Sequence, residues 1–376
     1  MRLKIEKLVY GGAGLARTDQ GVVFVPRTAP GDVVEADIVE KKKDYATGRL
    51  IEILEPSPDR QETYCPNYST AGCCHWQHIR YDRQVAYKEA ILRETFRRIG
   101  HFDYNGAIEQ LIGSDRNYRL RAAFHVTNGR LGFMQENTNV IIPIRSCASL
   151  VPELNNFIGT VDPGPAREVY VISAPEIAAS FVLNEGIVQR SGRATIQVNN
   201  FHYRVTADTF FQTNRFLLVP MIEEVLLQAG SSPGNVLDLY SGVGFFSIPL
   251  ARVAKEVIAI ESSRTAVQLA QENAKINRTW QLRSVEGHVI TTLRSSGLHP
   301  NVVVLDPPRA GCGVETANRI AGLKPDRIVY VSCNPATFAR EAAVFITQGY
   351  ELRRVTLVDQ FPNTYHIELI ASLGVR

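Results

Sequence analysis

The sequence predicts a protein of the α/β class that is built from three domains. In residues 208–376, apolar runs of strand length alternate with segments of helical periodicity, which is typical of a doubly wound, Rossmann-like domain. Residues 1–57 instead contain short alternating runs separated by glycine and proline, the pattern of a small OB-like β-barrel. Between them, residues 58–207 alternate like strands around a group of cysteines. We therefore predict a barrel, a β-rich central domain and a C-terminal α/β domain.

Composition and charge narrow the class of protein. The chain has 376 residues, of which 45% are hydrophobic and 21% charged, as in ordinary globular proteins. No apolar run reaches membrane-spanning length, so we expect a cytoplasmic protein that does not contact membranes, and we expect a monomer. The net charge of +3 does not reveal a nucleic-acid partner, so any basic surface must be local. Six cysteines in a cytoplasmic chain favour catalysis or metal binding over disulfide bonds.

Three strands of the last domain end in residues suited to chemistry. The β-branched run of residues 327–332 stops at Cys333, which precedes a turn-forming Asn-Pro pair. A second apolar run stops at Asp306, and a third stops at the glycine-containing turn 241–244. Because ligands of open parallel sheets bind beyond the carboxyl ends of the strands, these groups should share one edge. Cys333 is then either a nucleophile, which this position favours, or a small buried hydrophobic residue.

The glycine turn and the acid that follows it predict a nucleotide-like cofactor. The turn in Asp238–Gly244 lets a ligand approach backbone N–H groups, and Glu261 ends the next strand, where an acid holds ribose hydroxyl groups. This pattern fits an adenine dinucleotide, S-adenosylmethionine or a purely structural turn. The tetrapeptide Asp306–Arg309, DPPR, holds a carboxylate rigidly against a planar polar group in the cleft. Dinucleotide enzymes do not need it, and it resembles a motif of methyltransferases that act on bases, a resemblance that favours S-adenosylmethionine.

A carboxylate that faces a base, combined with a cysteine at a strand end, defines a reaction. C5 of uracil is too weak a nucleophile to take a methyl group directly, whereas addition of a thiolate at C6 makes C5 enolate-like. A base must then remove the C5 proton before the cysteine is eliminated. Glu368, in the segment Phe361–Glu368, is the candidate base. The alternative is a surface glutamate on an edge strand, but its apolar neighbours favour burial.

A second group of cysteines lies in residues 65–78. Cys65, Cys73 and Cys74 occur here together with two histidines, and Cys147 is the only plausible distant partner outside the catalytic region. Thiolates at such spacing hold an iron–sulfur cluster or a structural zinc ion. The alternative is a set of unligated core cysteines, which would be unusual for three residues so close together.

The segment Arg116–Arg130 is the candidate basic surface. It carries four arginines and no acid, interleaved with Tyr118 and Phe124. Arginine with aromatic residues suits phosphate contact and base stacking. A solvated strand face explains the same residues about as well. The segment is therefore a candidate for RNA contact.

Periodicity also predicts two long helices. Apolar residues of Asp82–Gly100 recur at helical spacing, and Gly100 suits the C-terminal cap. A second apolar stripe predicts a helix that begins with Asn214 as N-cap and ends at Gly230.

The motifs together resemble a known family. The stretches IEKLVYGGAGLAR at 5–17 and GVVFVPRTAPGDVVEADI at 21–38 are similar to the TRAM domain, an RNA-binding module. Nearly the whole chain resembles the RNA (uracil-C5) methyltransferases. The motifs that carry the resemblance are CP…QH at 65–78, YR at 118–119, FFQTN at 210–214, DLYSGVG at 238–244, DPPRAG at 306–311, SCNP at 332–335 and FPNTYHIE at 361–368. The resemblance implies S-adenosylmethionine as cofactor and RNA as partner, with 23S ribosomal RNA favoured over transfer RNA by the TRAM-like start.

The resemblance also implies roles for individual residues. Cys333 would be the nucleophile and Glu368 the proton acceptor. The cofactor-binding positions are matched by Gln212, Tyr240, Glu261 and Asp306. The ligands of a [4Fe-4S] cluster are matched by Cys65, Cys74 and Cys147. The family's second ligand falls on Ala71, which cannot bind iron, so either Cys73 replaces it through a local shift or the cluster is absent.

Two other functions remain open at this point. One is a methyltransferase that acts on C5 of another base, cytosine, whose chemistry also uses a cysteine. The other is a catalytically silent RNA-binding protein, against which the intact Cys333, Glu368 and Asp306 argue.

Overall fold

Two compact units make up the chain. The computed structural model describes residues 1–136, 138–174, 176–183, 188–295 and 297–376. Unit 1 comprises Met1–Glu94, Phe133–Ile142 and Phe361–His366, and unit 2 comprises Thr95–Gly132, Pro143–Gln360 and Ile367–Arg376. Across the described residues, none of the helices has the length and hydropathy needed to cross a membrane. The division into three domains stays a prediction.

Unit 1 begins with a small β-barrel. Its strands are β1 (Arg2–Lys4), β2 (Lys7–Leu8), β3 (Gly14–Thr18), β4 (Gly21–Val25), β5 (Val33–Lys41) and β6 (Tyr45–Glu55). They pair in the order β1-β5-β6-β4-β3-β2, and β4 with β6 is the parallel pair. Strand β1 pairs with β5, and β2 pairs with β3 at the other end of this order. Because β1 and β2 follow each other almost without a break, the sheet closes on itself. The interior holds Leu3, Ile5, Ala16, Val23, Val25, Val34 and Ala36. The predicted barrel is confirmed.

A buried aspartate connects the barrel to the chain that follows it. Asp32 is fully buried and accepts hydrogen bonds from the backbone N–H groups of Ala29 (2.6 Å) and Ser57 (2.8 Å). The guanidinium of Arg60 donates two more, at 2.8 and 2.7 Å. Burial opposes ionisation, but the hydrogen bonds from Arg60 and the backbone outweigh it and lower the pKa of Asp32. Asp32 is therefore an ionised and well-paired structural group.

The segment Phe361–His366 is held inside unit 1 by hydrogen bonds to Asn363. Gln84 accepts from the Asn363 N–H group at 2.8 Å and donates to its side-chain oxygen at 3.0 Å. The Asn363 carbonyl accepts from the N–H groups of His75 (2.9 Å) and Trp76 (3.0 Å). Asn363 has a φ of 64°, in the left-handed region that asparagine tolerates better than most residues. The conformation of this segment is thus fixed by its own backbone and by these hydrogen bonds, together with one from Asn363 Nδ2 to the Tyr64 hydroxyl at 2.8 Å.

Helix α1 (Tyr81–Thr95) supplies a further contact to this segment. Lys88 on α1 is fully buried, and its Nζ donates to the carbonyl of Phe361 at 3.1 Å. The same ammonium lies 6.0 Å from the centroid of the Trp76 ring. Since lysines are rarely buried without such partners, the Phe361 carbonyl and the indole face explain its position.

A second sheet contains most of the strands of the central region. Strand β7 (Ile108–Leu111) belongs to the large sheet described below. The second sheet has the order β10-β9-β8-β11-β12-β13. Its strands are β8 (Arg121–Thr127), β9 (Arg130–Met134), β10 (Ile141–Pro143), β11 (Glu168–Ala174), β12 (Glu176–Val182) and β13 (Val188–Ser191). Helix α2 (Pro152–Thr160) and the hairpin of β14 (Arg193–Val198) and β15 (Phe201–Thr206) complete this region. Cys147 lies between β10 and α2, outside any strand.

The large sheet of unit 2 positions the candidate site. Besides β7, its strands are β16 (Asn235–Leu239), β17 (Glu256–Glu261), β18 (Leu282–Glu286), β19 (Val302–Leu305), β20 (Arg327–Ser332), β21 (Tyr350–Val358) and β22 (Glu368–Val375). The order is β18-β17-β16-β19-β20-β22-β21-β7. Strands β16 to β20 are parallel, and β22 runs antiparallel to both β20 and β21. The helices between the strands are α3 (Leu218–Ala229), α4 (Ser247–Leu250), α5 (Arg264–Ile276), α6 (Val289–Ser295), α7 (Val314–Gly322) and α8 (Pro335–Thr347). The predicted doubly wound α/β fold is confirmed.

The start of α3 differs from the prediction. The helix begins at Leu218, and Asn214 is not its N-cap. The side-chain amide of Asn214 instead lies 3.4 Å from the carbonyl oxygens of Asp359 and Gln360, to which it donates. Asn214 is fully buried, so tertiary contacts decide its role. Gly230 is the C-cap, as predicted.

Two other elements also differ. The predicted helix over residues 82–100 is α-helical to Thr95 and then forms one π-helical turn, Phe96–Gly100, capped by His101. Strand β18 and helix α6 are absent from the prediction. β18 is an edge strand whose sequence, LRSVE, lacks the apolar run of a buried parallel strand.

Candidate active site

Cys333 lies between the end of a parallel strand and the start of a helix. β20 ends at Ser332, and α8 starts at Pro335 with Asn334 as its N-cap. The Asn334 side-chain oxygen accepts from two backbone N–H groups of the first turn, at 3.1 and 3.3 Å. Pro335, at the first helical position, has no N–H group to satisfy. Cys333 is thus half-buried at the amino end of a 13-residue helix, whose dipole favours a thiolate.

The antiparallel strand β22 brings Glu368 to the same edge of the sheet. β22 begins at Glu368, and its next residue, Leu369, pairs with Ser332 at the end of β20. One step beyond that pair, the antiparallel register sets Glu368 opposite Cys333. Glu368 is only 5% exposed, so it is not a surface glutamate.

Asp306 follows β19 at this edge. Its backbone N–H group donates to the carbonyl of Leu239, the last residue of β16, at 3.2 Å. Gln212 donates from Nε2 to Asp306 Oδ2 at 3.2 Å, and Gln360 donates from Nε2 to Gln212 Oε1 at 2.7 Å. Two neutral amides in series therefore orient the Asp306 carboxyl group.

Three acidic groups at this edge have raised pKa values. Burial raises the pKa of Asp306 to about 7, and the charge of Asp238 acts in the same direction. Burial raises the pKa of Glu368 to about 8, with a further contribution from the charge of Asp306. Burial raises the pKa of Cys333 to about 11, and the charges of Glu368 and Asp306 add to it. Two carboxyl groups that titrate near neutral pH beside a thiol are typical of a catalytic site.

Arg309 is a cation that opposes two of these shifts. Its charge lowers the pKa of both Cys333 and Glu368, while its side chain is exposed. Its carbonyl oxygen accepts hydrogen bonds from Asn334 Nδ2 (3.1 Å) and Thr337 Oγ1 (3.2 Å). The loop that carries this arginine is therefore connected to the first turn of α8, directly after the cysteine.

Glu341, on α8, fixes the far end of the same loop. It is 3% exposed, and its Oε1 accepts from the Gly313 N–H group at 2.8 Å. Its Oε2 accepts from the Tyr330 hydroxyl at 2.5 Å and from the Cys312 N–H and thiol groups at 3.2 and 3.1 Å. Burial raises the pKa of both Cys312 and Tyr330, so both stay protonated donors. A Cβ at Gly311 would lie 2.1 Å from Oε1, so glycine is required there.

The glycine turn after β16 is open to a ligand. Glu261, at the end of β17, accepts from the N–H groups of Gly242 (3.1 Å) and Ser263 (2.7 Å). A Cβ at Gly242 would meet no atom within 4 Å, so space over the turn is free. Tyr240 has a φ of 62°, a strained conformation for an aromatic residue, of the kind that clusters at functional sites. Nucleotide-like groups bind at such turns, and Glu261 retains acceptor capacity for ribose hydroxyl groups.

The structure therefore groups the predicted residues in two adjacent places. Parallel pairing of β16 with β17 and β19 makes their carboxyl ends neighbours. The first place contains Cys333, Glu368, Asp306 and Gln212. The second contains Tyr240 and Glu261.

Sequence reasoning did not assign roles to Arg309, Gln360 or Glu341. Arg309 stands in the quoted DPPR motif, which was the available signal. Gln360 and Glu341 carried no signal, because their burial depends on residues distant in sequence.

The predicted metal ligands do not form a site. Among the residues that the structure describes, no three His, Cys, Asp or Glu side chains are grouped so that they would hold a metal ion. Cys74 is buried, Cys65, Cys73 and Cys147 are half-buried, and none of the six cysteines forms a disulfide. Ala71, at the position of the missing ligand, is buried and apolar. This donor set does not fit a [4Fe-4S] cluster or a zinc ion, so the structure does not support that prediction.

The arginine-rich segment contains a cation–aromatic pair. The guanidinium of Arg121 lies 5.3 Å from the centroid of the Phe210 ring, and Phe210 is 61% exposed. Arg119 Nε donates to the carbonyl of Arg121 at 3.0 Å. Burial lowers the pKa of Arg121 to about 10, so it remains a cation at neutral pH. Phe210 precedes Gln212, which binds Asp306, by two residues in the sequence.

Known proteins match this chain over nearly its whole length. A family model described as tRNA (uracil-5-)-methyltransferase matches residues 177–287 and 290–374, and a TRAM domain model matches residues 1–51. An uncharacterized RNA methyltransferase of Aquifex aeolicus is 33% identical over 100% of this chain and 99% of its own length. The 23S rRNA (uracil(1939)-C(5))-methyltransferase RlmD of a Shewanella species is 30% identical over 98% of this chain and 94% of its own.

A solved structure is similar over the same length. It is the tRNA (uracil-54, C5)-methyltransferase of Pyrococcus abyssi in complex with S-adenosyl-L-homocysteine. The two chains are 26% identical, the match covers 99% of this chain and 100% of that one, and the TM-score is 0.79. The resemblance drawn from the motifs is confirmed: the chain belongs to the RNA (uracil-5-)-methyltransferase family and is an S-adenosylmethionine-dependent enzyme of the class I fold that acts on uracil C5 in RNA.

Proposed function

We propose that this enzyme methylates C5 of a specific uridine of 23S ribosomal RNA through a covalent bond between Cys333 and C6. The observation that carries the proposal is the antiparallel pair of Ser332 with Leu369, which brings the residues next to it, Cys333 and Glu368, to the same edge of the sheet. Asp306 is the third member of the same site, because its charge raises the pKa of both Cys333 and Glu368. A nucleophile, a base and a group that faces the uracil are the parts that this reaction needs.

The reaction begins at Cys333. Its thiol has a raised pKa in the free protein, so the proton must leave to solvent before attack, and the charge of Arg309 and the dipole of α8 favour that loss. The thiolate adds to C6 of uracil, and the electron pair of the C5–C6 double bond moves into the C4 carbonyl. C5 is then nucleophilic.

Four residues are proposed to hold S-adenosylmethionine. Glu261 offers a carboxylate to the ribose hydroxyl groups beside the open space at Gly242, and Tyr240 stands at the same turn. Gln212 and Asp306 connect this turn with the nucleophile. When bound, this group supplies an electrophilic methyl group to C5.

Glu368 completes the cycle as the base. Its carboxylate takes the C5 proton, the electron pair re-forms the C5–C6 double bond, and the C6–S bond breaks to return Cys333 as a thiolate. The raised pKa suits the step, because a base that titrates near neutral pH both accepts the proton and releases it to solvent.

RNA contact is proposed for residues 1–55 and for the Arg116–Arg130 segment. The Arg121–Phe210 pair combines a cation for phosphate with an exposed ring for a base. Replacing Arg119 and Arg121 together by alanine should weaken RNA binding and reduce the steepness of its salt dependence, because fewer counterions are released. Filter binding over a salt series measures both; unchanged affinity and slope would remove this segment from the interface.

The choice of 23S ribosomal RNA is supported by the TRAM match and by the relative from Shewanella, which is named for that RNA. Transfer RNA is the second candidate, since the structural relative from Pyrococcus abyssi is named for it. Mapping 5-methyluridine in both RNAs, from cells with and without the gene, decides between them. We expect one position of 23S ribosomal RNA to lose its methyl group; loss in transfer RNA alone would replace the target.

A further inference from the structure

Three aromatic rings of unit 1 surround Tyr365, and the four rings together are here called the aromatic row: Tyr10, His75, Tyr365 and His366. Tyr365 is its centre. Ring centroids lie 4.5 Å from Tyr365 to His75, 4.5 Å to His366 and 6.1 Å to Tyr10. The interplanar angles are 54°, 52° and 86°, which are ordinary tilted and edge-on contacts between aromatic rings.

The backbone around the aromatic row is shaped to hold it. Gly12 has a φ of 93°, and a Cβ there would lie 2.8 Å from a carbon of the Tyr365 ring. Only glycine therefore lets the turn after Tyr10 approach this ring. The indole N–H group of Trp76 donates to the Gly12 carbonyl at 2.9 Å, which fixes the turn from the other side.

Tyr365 and His75 are held by a shared anchor. The Asn363 carbonyl accepts from the His75 N–H group at 2.9 Å, and Asn363 stands two residues before Tyr365. Thr364 Oγ1 accepts from the His366 N–H group at 3.2 Å. The rings are thus positioned before any ligand arrives, which reduces the entropy that binding must overcome.

The aromatic row reaches the surface. Tyr10 is 37% exposed, whereas His75, Tyr365 and His366 are half-buried. Packing explains why the three inner rings touch each other, but it does not explain a tyrosine left exposed at the end of the row, on a glycine turn. Since Tyr10 lies in the part of the chain that matches the TRAM domain model, a ligand with flat apolar faces accounts for it.

We propose that the aromatic row is a stacking platform for an unpaired base of the RNA substrate, with Tyr10 as the outermost ring. An aromatic platform accepts any base, because every base has a π-face. The inference rests on the proposed function only in that RNA is the ligand. It deepens the RNA contact proposed above for residues 1–55, because it names a surface of unit 1 that acts through stacking instead of charge.

The test compares RNA binding by Tyr10→Ala, Tyr10→Phe and Tyr365→Leu with that of the wild-type chain. The probes are an unmodified 23S ribosomal RNA transcript and a short single-stranded RNA with one 2-aminopurine. Tyr10→Ala and Tyr365→Leu should raise the Kd by about 5- to 100-fold, the range for one lost stack, and reduce quenching of the 2-aminopurine. Tyr10→Phe should stay within about two-fold, because stacking needs the ring and not the hydroxyl.

A matched control is Trp280→Ala in unit 2. Trp280 is 74% exposed and has no role in the proposed reaction, so its removal should leave the Kd unchanged. The slope of log Kd against log salt should also be unchanged in Tyr10→Ala, because stacking releases no counterions. Unaltered RNA binding by Tyr10→Ala, or equal weakening by Trp280→Ala, would overturn the platform and leave packing or protein docking as the role of the aromatic row.

Two measurements keep the outcome clear. Thermal melting shows whether Tyr365→Leu is folded, and if it is not, Tyr10→Ala decides, because that substitution removes only the exposed ring. Methyl transfer is measured in the same titration. Methylation by wild type with no effect of Tyr10→Ala refutes the platform alone, whereas binding that depends on Tyr10 without any methylation refutes the proposed function alone.

Discussion

Each unit contains an aspartate beside a turn, and the two carboxyl groups have opposite surroundings. Asp32 in unit 1 accepts four hydrogen bonds, two of them from Arg60, and its pKa lies below the usual value. Asp306 in unit 2 accepts one side-chain hydrogen bond within the described part of the chain, from the neutral amide of Gln212. Burial raises its pKa to about 7.

The difference separates a structural acid from an acid of the proposed active site, without reference to any motif. A paired carboxylate such as Asp32 adds stability and exchanges no proton near neutral pH. A carboxyl group with few hydrogen bonds, such as Asp306, lowers the stability of the fold, but its pKa lies near neutral pH, as the pKa of a group in an active site often does. The charge of Asp306 also raises the pKa of Glu368. The energetic cost of burying charge in the site is therefore shared by Asp306 and Glu368, both of which the proposed reaction uses.

The largest expected effect concerns Cys333 and Glu368, the reacting groups of the proposed active site. Cys333→Ala should reduce methylation by at least about 1,000-fold and abolish any covalent protein–RNA complex, because the nucleophile is gone. Glu368→Gln should reach the methylated adduct and stop there, since addition and methyl transfer need no base at C5. Denaturing gels should therefore show a complex that accumulates with Glu368→Gln and requires S-adenosylmethionine.

RNA that carries 5-fluorouridine at the target provides the positive control. Fluorine does not leave as a cation, so wild type should be trapped at the same stage. Cys147→Ala, a half-buried cysteine outside the site, should behave like wild type. If Glu368→Gln forms no complex while fluorinated RNA still traps wild type, Glu368 activates the thiol and the base lies elsewhere, with Asp306 next in line.

Replacement of the structural acid, Asp32, should cause a large loss of stability. Asp32→Ala leaves the Arg60 guanidinium without its carboxylate, and breaking such a buried pair costs about 3–5 kcal/mol. The free energy of unfolding of unit 1, from denaturant titration followed by circular dichroism, measures the loss. Asp37→Ala is the control, since its pair with Arg49 is exposed and should contribute less than about 1 kcal/mol. Equal effects of the two substitutions would contradict the distinction.

The two kinds of acid should also respond to pH in opposite directions. Asp32 has a lowered pKa in the fold, so its contribution is present at neutral pH and is lost as pH falls through the folded value. Glu368 has a raised pKa, so the folded chain holds a proton that the unfolded chain has released, and stability falls as pH rises from about 4.5 through about 8. Glu368→Gln does not titrate, and should exceed wild type by about 1–3 kcal/mol at pH 9 but not at pH 4.

Melting curves across this pH range check the prediction. In Asp32→Asn, the melting temperature should depend less on pH at acid pH than it does in wild type. In Glu368→Gln, it should depend less on pH at alkaline pH. A Glu368→Gln variant that is no more stable than wild type at pH 9 would show that the Glu368 carboxyl is not held in an unfavourable environment.

Removal of metal should have the smallest effect. The described residues form no metal-binding group around the cysteines, so dialysis of anaerobically purified protein against a chelator should leave the melting temperature unchanged. Elemental analysis before and after dialysis completes the measurement. Stoichiometric iron or zinc, lost together with stability, would contradict the structure at Cys65, Cys73, Cys74 and Cys147.

The strand ends of the site were predictable from sequence for a simple reason. A β-branched run that stops at a polar residue and a proline-containing turn marks both Asp306 and Cys333, and parallel pairing then brings such ends together. The position of Glu368 depends on the antiparallel register of β22, which periodicity does not determine. Its motif and its apolar neighbours were the available signals.

Glu341 and the cysteines of residues 65–74 show where sequence patterns stop being informative. A glutamate on a helix has the same pattern whether it faces solvent or, like Glu341, accepts hydrogen bonds from Tyr330 and Cys312. Cysteine spacing likewise states how far apart the thiols are along the chain, but not where they point. Both outcomes depend on packing between elements that are distant in sequence.

The segment Phe361–His366 has a consequence for synthesis. It belongs to unit 1, yet it follows Lys88, which binds its first carbonyl, by 273 residues. At a translation rate of about 5–20 residues per second, roughly 15–55 s separate the two on the ribosome. The strands of the barrel are made early, whereas Gln84, Lys88 and Trp76 cannot form their hydrogen bonds to Phe361 and Asn363 until that segment has been synthesised. A copy that stops before Phe361 would therefore leave Gln84, Lys88 and the backbone of Trp76 without the hydrogen bonds that this segment provides.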